Sequence, residues 1–156
     1  MKIFVVTDLD GSLLNHSNFS FKQIYFDFLN LLNSGIEIIP ASSKTKHEMA
    51  TFCSEIKREL PFIYENGAGF QNIHPFISER SPDSFLLSEA SIDTKKIWQI
   101  WCEQVPEELK IRCLFAHEMN LKQQIDLFGL TGQKLQNALA REYSLCFKFF
   151  GNRTQF

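Results

Sequence analysis

The chain opens with a continuous apolar, mostly β-branched run, Ile3-Phe4-Val5-Val6-Thr7, that stops at two acidic residues one apart, Asp8 and Asp10, followed by Gly11. An uninterrupted run of this length predicts a buried strand, and the acids predict that its C-terminal end delivers two carboxylates into a sharp turn. In open α/β sheets that end of the strands is where ligands bind. Further on, Ile24, Phe28, Leu31 and Leu32 recur at spacings of three and four. That pattern predicts an amphipathic helix over about residues 21–33, closed by the stop signal Asn33-Ser34-Gly35. Ile36-Glu37-Ile38-Ile39-Pro40 predicts a second strand. Strand, helix and strand at this spacing make a βαβ unit, with parallel strands and a right-handed crossover.

Ala41-Ser42-Ser43-Lys44-Thr45 follows the second strand, and a helix is predicted over about residues 45–60. Pro61-Phe62-Ile63-Tyr64 predicts a third strand and Glu65-Asn66-Gly67-Ala68 a turn. Residues 69–73 and 76–77 predict a hairpin around His74-Pro75. The polar, Pro-containing stretch 80–84 is the candidate boundary, dividing a core domain (residues 1–80) from a second domain (residues 81–156). In that second part Asp93 caps a predicted helix carrying Ile97, Ile100 and Trp101, with Pro106 near its end. A strand over about 110–116, helices over about 121–128 and 131–141, and a last strand over 143–150 follow. The fold class this predicts is α/β, a parallel-sheet core followed by a small α/β domain.

Composition adds mainly exclusions. At 156 residues the chain makes one large domain or two small ones. Its 44% hydrophobic content, 22% charged residues and net charge of −2 are ordinary for a globular protein. They leave no footprint for nucleic acid or an anionic membrane. No apolar stretch reaches membrane-spanning length, and no signal-peptide pattern opens the chain, so the cytoplasm is the expected compartment. Cys53, Cys102, Cys113 and Cys146 contain no Cys-x-x-Cys pair and read as reduced thiols. The four histidines share no metal-ligand spacing. The 16 Phe residues predict either a Phe-rich core or an apolar interface.

The two acids carry the chemistry. A calcium loop counted from Asp8 fails, because its twelfth position is Phe19 where a bidentate Glu is needed. Asp8-Leu9-Asp10-Gly11-Ser12-Leu13-Leu14 resembles the first motif of the haloacid dehalogenase superfamily, mostly Mg2+-dependent phosphatases. The resemblance implies a Rossmann-like core with an α/β cap, Asp8 as nucleophile, Asp10 as general acid/base, and both in the Mg2+ site. The spacing suits that chemistry: one carboxylate attacks phosphorus while a second, two residues on, protonates the leaving oxygen and later activates water. Ser42 matches the superfamily's phosphate-binding second motif. Ser42-Ser43-Lys44-Thr45 also resembles one subgroup, the mannosyl-3-phosphoglycerate phosphatases, which implies Ser42, Ser43 and Lys44 as substrate contacts. Glu65-Asn66-Gly67-Ala68 resembles the stretch that precedes the cap in this superfamily, implying that Asn66 and Gly67 shape the substrate pocket.

Gly129-Leu130-Thr131 and Ala140-Arg141-Glu142-Tyr143-Ser144 resemble the same subgroup, whose Arg-Glu-x-Ser-Glu-Pro cap stretch helps hold substrate. Arg141, Glu142 and Ser144 match it, and Leu145-Cys146 replace the Glu-Pro pair. The whole resemblance implies Mg2+-dependent hydrolysis of a small sugar phosphate such as mannosyl-3-phosphoglycerate through an aspartyl-phosphate, with no nucleic-acid or membrane partner.

The family's third-motif Lys and fourth-motif acids have no match here. No Gly-Asp is followed shortly by another Asp, and Asp27, Asp83, Asp93 and Asp126 stand in unrelated surroundings. Two expectations follow. Asp8 and the Asp10 carbonyl alone give Mg2+ only two protein ligands, so weak affinity and slow turnover are expected. The first strand is expected at a sheet edge with apolar side chains exposed, a surface for a second copy of the chain or a complementary fragment. Two readings stay open: a phosphatase, or a non-catalytic relative that binds a phosphate ligand or a protein partner.

Overall fold

The expected βαβ unit forms. β1 (Phe4–Asp8) and β2 (Glu37–Ala41) pair in parallel from Phe4↔Glu37 to Asp8↔Ala41, joined by helix α1 (Tyr25–Asn33). The computed structural model describes residues 3–15, 20–72, 86–87 and 91–151, and these divide into two units, Met1–Ser91 and Ile92–Phe156. The expected linker at 80–84 and the hairpin partner at 76–77 lie outside the described residues.

In the first unit β3 (Phe62–Tyr64) adds parallel to β2 through Ala41↔Ile63. β4 (Gly69–Gln71) turns back antiparallel on β3, and β5 (Leu86–Leu87) is antiparallel to β4. The sheet order is β1-β2-β3-β4-β5, parallel over three strands and antiparallel beyond them. Ile38, Ile39 and Pro40 are buried in succession, as a strand covered on both faces requires. On α1, Phe28 faces the core, and the Phe21 ring meets Phe28 edge-on at 5.0 Å and Phe52 at 5.3 Å. These contacts tie α1 to helix α2 (Lys46–Glu55).

Two expectations need correction here. The apolar run of β1 is not buried. It lies instead at an edge of the sheet, as the resemblance led one to expect, with Phe4 44%, Val5 40% and Val6 61% exposed. The second helix stops at Glu55, five residues short of the expected end. Lys57 adopts φ 55, its N–H donates to the Ser54 carbonyl (3.1 Å), and the Arg58 N–H donates to the Cys53 carbonyl (3.1 Å). This is a Schellman stop built without glycine, so the sequence carried no glycine signal for it.

In the second unit α3 (Thr94–Gln104) is capped by Asp93, whose carboxylate accepts the Lys96 N–H at 2.8 Å. After Pro106 the chain forms a short helix, α4 (Glu107–Lys110), so the strand expected from residue 110 begins only at β6 (Cys113–Phe115). Helices α5 (Leu121–Phe128) and α6 (Gly132–Leu139) follow, with Gly129 at φ 65 closing α5. β7 (Phe147–Phe149) pairs antiparallel with β6. It is shorter than the strand expected over 143–150, because the preceding segment serves as a loop whose Cys146 carbonyl accepts the Ala116 N–H at 2.8 Å. Trp98 and Trp101 pack on the buried Phe115 ring at 5.1 and 4.8 Å. Burial pushes the Cys53 and Cys113 thiols up, which keeps them protonated and poorly reactive. No helix among the described residues is long and apolar enough to cross a membrane.

Candidate active site

β1 ends on Asp8. At the strand's end Asp8 is exposed, Leu9, just past it, is fully buried, and Asp10 is half-buried. A tight turn follows. The Leu14 N–H donates to the Leu9 carbonyl at 2.7 Å and the Gly11 N–H to the Leu14 carbonyl at 2.9 Å. Gly11 sits at φ 78, which L side chains rarely adopt.

The register sets Asp8 beside Ala41, so Ser42 leaves β2 at the same end of the sheet. Ser42 is buried. Its N–H donates to the Ile63 carbonyl at 3.0 Å, and its Oγ accepts the Lys44 N–H at 3.2 Å. Thr45 then starts α2 with a capping box: its Oγ1 accepts the Glu48 N–H (3.2 Å), and its N–H donates to Glu48 Oε2 (2.9 Å). Held in this way, Lys44 places Nζ 3.0 Å from Asp10 Oδ2. Asp10 Oδ1 is buried and has no protein hydrogen-bond partner.

A third segment closes the arrangement. The Glu65 N–H donates to the Lys44 carbonyl at 2.9 Å and the Asn66 N–H to the Ser42 carbonyl at 3.1 Å. To make both bonds the chain runs through φ 45 at Glu65, φ 59 at Asn66 and φ 90 at Gly67. Left-handed non-glycine residues each cost on the order of 1–2 kcal/mol, and such conformations concentrate at functional sites. Glu65 itself is buried, which its place in a turn did not signal.

Asp8, Asp10, Ser42, Ser43, Lys44, Asn66 and Gly67 therefore gather at the C-terminal ends of β1, β2 and β3. Arg141 belongs to the second unit, where its Nη1 donates to Ser144 Oγ at 2.7 Å. Sequence reasoning missed the Lys44–Asp10 pair and the burial of Glu65. The Thr-x-x-Glu spacing from Thr45 to Glu48 was the one legible sign that the Lys44 loop is fixed from its far end.

For the implied Mg2+, the available donors are hard oxygens: the exposed Asp8 carboxylate and the backbone carbonyl of Asp10, whose buried Oδ1 also has no protein hydrogen-bond partner. Among the described residues no group of three or more His, Cys, Asp or Glu is placed to hold a metal ion. This set fits an ion that keeps several waters and shares the substrate's phosphate, and does not fit an all-protein cage.

No family model matches the chain. It is 44% identical over 64 residues to a glucosyl-3-phosphoglycerate/mannosyl-3-phosphoglycerate phosphatase of Persephonella marina, covering 41% of this chain and 24% of that protein. It is 30% identical over 119 residues to the mannosyl-3-phosphoglycerate phosphatase of Pyrococcus horikoshii, covering 73% of this chain and 47% of that one. The chain thus spans less than half the length of these curated relatives. Among solved structures, a haloacid dehalogenase-like hydrolase from B. subtilis superposes with a TM-score of 0.53 at 19% identity, over 89% of this chain and 50% of that one. The superfamily phosphatase BT1666 from Bacteroides thetaiotaomicron superposes with a TM-score of 0.54 at 16% identity, over 94% and 56%. By sequence the chain is similar over part of their length to proteins named as mannosyl-3-phosphoglycerate phosphatases, and its fold is similar to that of haloacid dehalogenase-like hydrolases.

Proposed function

We propose that the Asp8 site hydrolyses a phosphomonoester of a small sugar or sugar-acid, in the manner of the mannosyl-3-phosphoglycerate phosphatases it resembles. The observation that carries this reading is the Lys44 ammonium 3.0 Å from Asp10, at the strand end where Asp8 presents an exposed carboxylate. Asp8 attacks phosphorus, forming an aspartyl-phosphate and breaking the bond to the sugar oxygen. Asp10, once released from Lys44, takes a proton from solvent and gives it to that oxygen, then takes one from the water that cleaves the aspartyl-phosphate and regenerates Asp8. Ser42, Ser43 and Lys44 hold the phosphoryl oxygens, and Asn66 and Gly67 border the sugar. A doubly charged phosphate arriving beside Lys44 competes with Asp10 for the ammonium and frees Asp10 for proton transfer. Mg2+ held by Asp8 and Asp10 would supply charge neutralisation between the attacking carboxylate and the phosphate.

A second reading, phosphate binding without turnover, is favoured by the small number of metal-ligating groups among the described residues. Phosphate release from p-nitrophenyl phosphate and mannosyl-3-phosphoglycerate, with and without Mg2+, separates the two. The expected result is Mg2+-dependent release that vanishes in Asp8→Asn. Release no greater than that of Asp8→Asn, from protein with an intact circular dichroism spectrum, overturns catalysis and leaves binding.

A further inference from the structure

The first unit carries a groove of about 780 Å³ along α2. Lys46, Cys53 and Lys57 line it at helical spacings, and none of Asp8, Asp10, Ser42 or Lys44 does. The turn at Lys57 that ends α2 brings Arg58 and Glu59 to it, and the sheet adds Phe62 from β3 and Gln71 from the end of β4. Among the described residues that line it, the charged side chains are thus three cations and one acid, in a chain with 18 acidic and 16 basic residues. Lys57 and Arg58 are exposed, so each attracts an anion weakly and the set matters more than its members. The cations stand at two ends: Lys46 opens α2, and Lys57 and Arg58 follow its last turn, about 16 Å away at 1.5 Å per residue. Burial and, more weakly, the Glu59 carboxylate push the Cys53 thiol up, which puts Glu59 near Cys53, between the two cationic ends.

The wall also asks for a hydrogen-bond donor. Gln71 Nε2 donates to Asn72 Oδ1 at 3.2 Å, which leaves Gln71 Oε1 enclosed without a protein hydrogen-bond partner. An unmet acceptor is unfavourable, and a small turn of the side chain offers it to a donor in the groove. The guest therefore brings N–H or O–H groups as well as negative charge, which a bare polyanion does not. An extended chain keeps its backbone N–H groups free to donate, whereas a helix uses them internally. About five extended residues span the distance between the cationic ends. Phe62 is buried, so it gives the groove no platform for stacking bases. We propose that this groove docks an extended peptide segment of a partner protein, with acids at the segment's two ends. Its carboxylates lie on Lys46 at one end and on Lys57 and Arg58 at the other, and an uncharged middle passes Glu59. Glu59 supplies selectivity, because an acid in the middle of the guest meets a like charge there. The proposal stands whether or not the Asp8 site turns over.

The test uses the full chain and the capped peptide Glu-Glu-Ser-Ala-Ser-Glu-Glu. Cys53 in the wall is the reporter, with its alkylation by iodoacetamide mapped by mass spectrometry. Peptide should slow that alkylation saturably and leave Cys102, exposed in the second unit, unaffected. Read as the peptide concentration at half protection, Lys46→Gln and Lys57→Gln should each weaken binding by about two- to fivefold, the worth of one exposed ion pair. Salt at about 1 M should remove most of it. Glu59→Gln should tighten binding of heptaglutamate more than of this peptide, and Lys44→Gln should change neither. Equal protection by the peptide with Gln for Glu, by tripolyphosphate or by a single-stranded oligonucleotide would overturn the proposal. So would protection that survives Lys46→Gln and Lys57→Gln together, or no protection in folded protein.

Discussion

Two neighbouring glycines separate two ways in which a single residue supports the Asp8 site. Gly67 stands at φ 90 with nothing within 4 Å of where a Cβ would point, so alanine there meets no atom and strains only the backbone. Gly69 has an ordinary φ, but a Cβ would lie 2.2 Å from the ring of Tyr64, which is fully buried and cannot step aside. Gly67→Ala is therefore expected to cost about 1–2 kcal/mol from the left-handed conformation. Gly69→Ala is expected to cost about 1–3 kcal/mol from overpacking. Urea unfolding monitored by circular dichroism checks both. Phosphate release should fall in Gly67→Ala by more than its stability loss explains, because Gly67 follows the two residues whose N–H groups hold the Lys44 and Ser42 carbonyls.

At the scale of elements, α2 matters less for its length than for where it starts. Thr45 is fully buried, and its capping box anchors the residue next to Lys44. Thr45→Ala removes the acceptor for the Glu48 N–H, and loss of such a cap costs about 0.5–2 kcal/mol. The expected outcome is a lowered urea midpoint together with a raised KM for the phosphomonoester, since a frayed first turn no longer holds Lys44 against Asp10. Thr45→Ser keeps the acceptor and should restore both. Thr45→Ala with an unchanged KM would mean that the Lys44 loop is fixed by Glu65 and Asn66 alone.

For the whole molecule, the exposed strand is the feature with a consequence in solution. Ile3, Phe4, Val5 and Val6 are all at least 40% exposed along a strand at a sheet edge. Apolar edges of this kind template pairing with further chains, and one inward or edge lysine is enough to discourage it. Light scattering is expected to show a mass that grows with concentration, and Val6→Lys is expected to return it toward the 18.1 kDa of one chain. A constant single-chain mass across the concentration range would count against pairing through β1.

What the sequence determined by itself was local. Period and punctuation marked β1, α1 and β2, the Asp93 cap and the Gly129 stop, because each depends on residues within a turn or two of one another. The placing of Asp8 and Asp10 at a strand end was legible for the same reason. The apolar run alone left open whether β1 is a buried or an edge strand, since apolar content is identical in the two cases; the resemblance pointed to the edge, and the sheet order has it there. Tertiary structure alone decided that Lys57 could end a helix without glycine, that Lys44 reaches Asp10, and that Glu65 is buried. Each of these depends on which segments pack together, and side-chain periodicity carries no information about partners far along the chain.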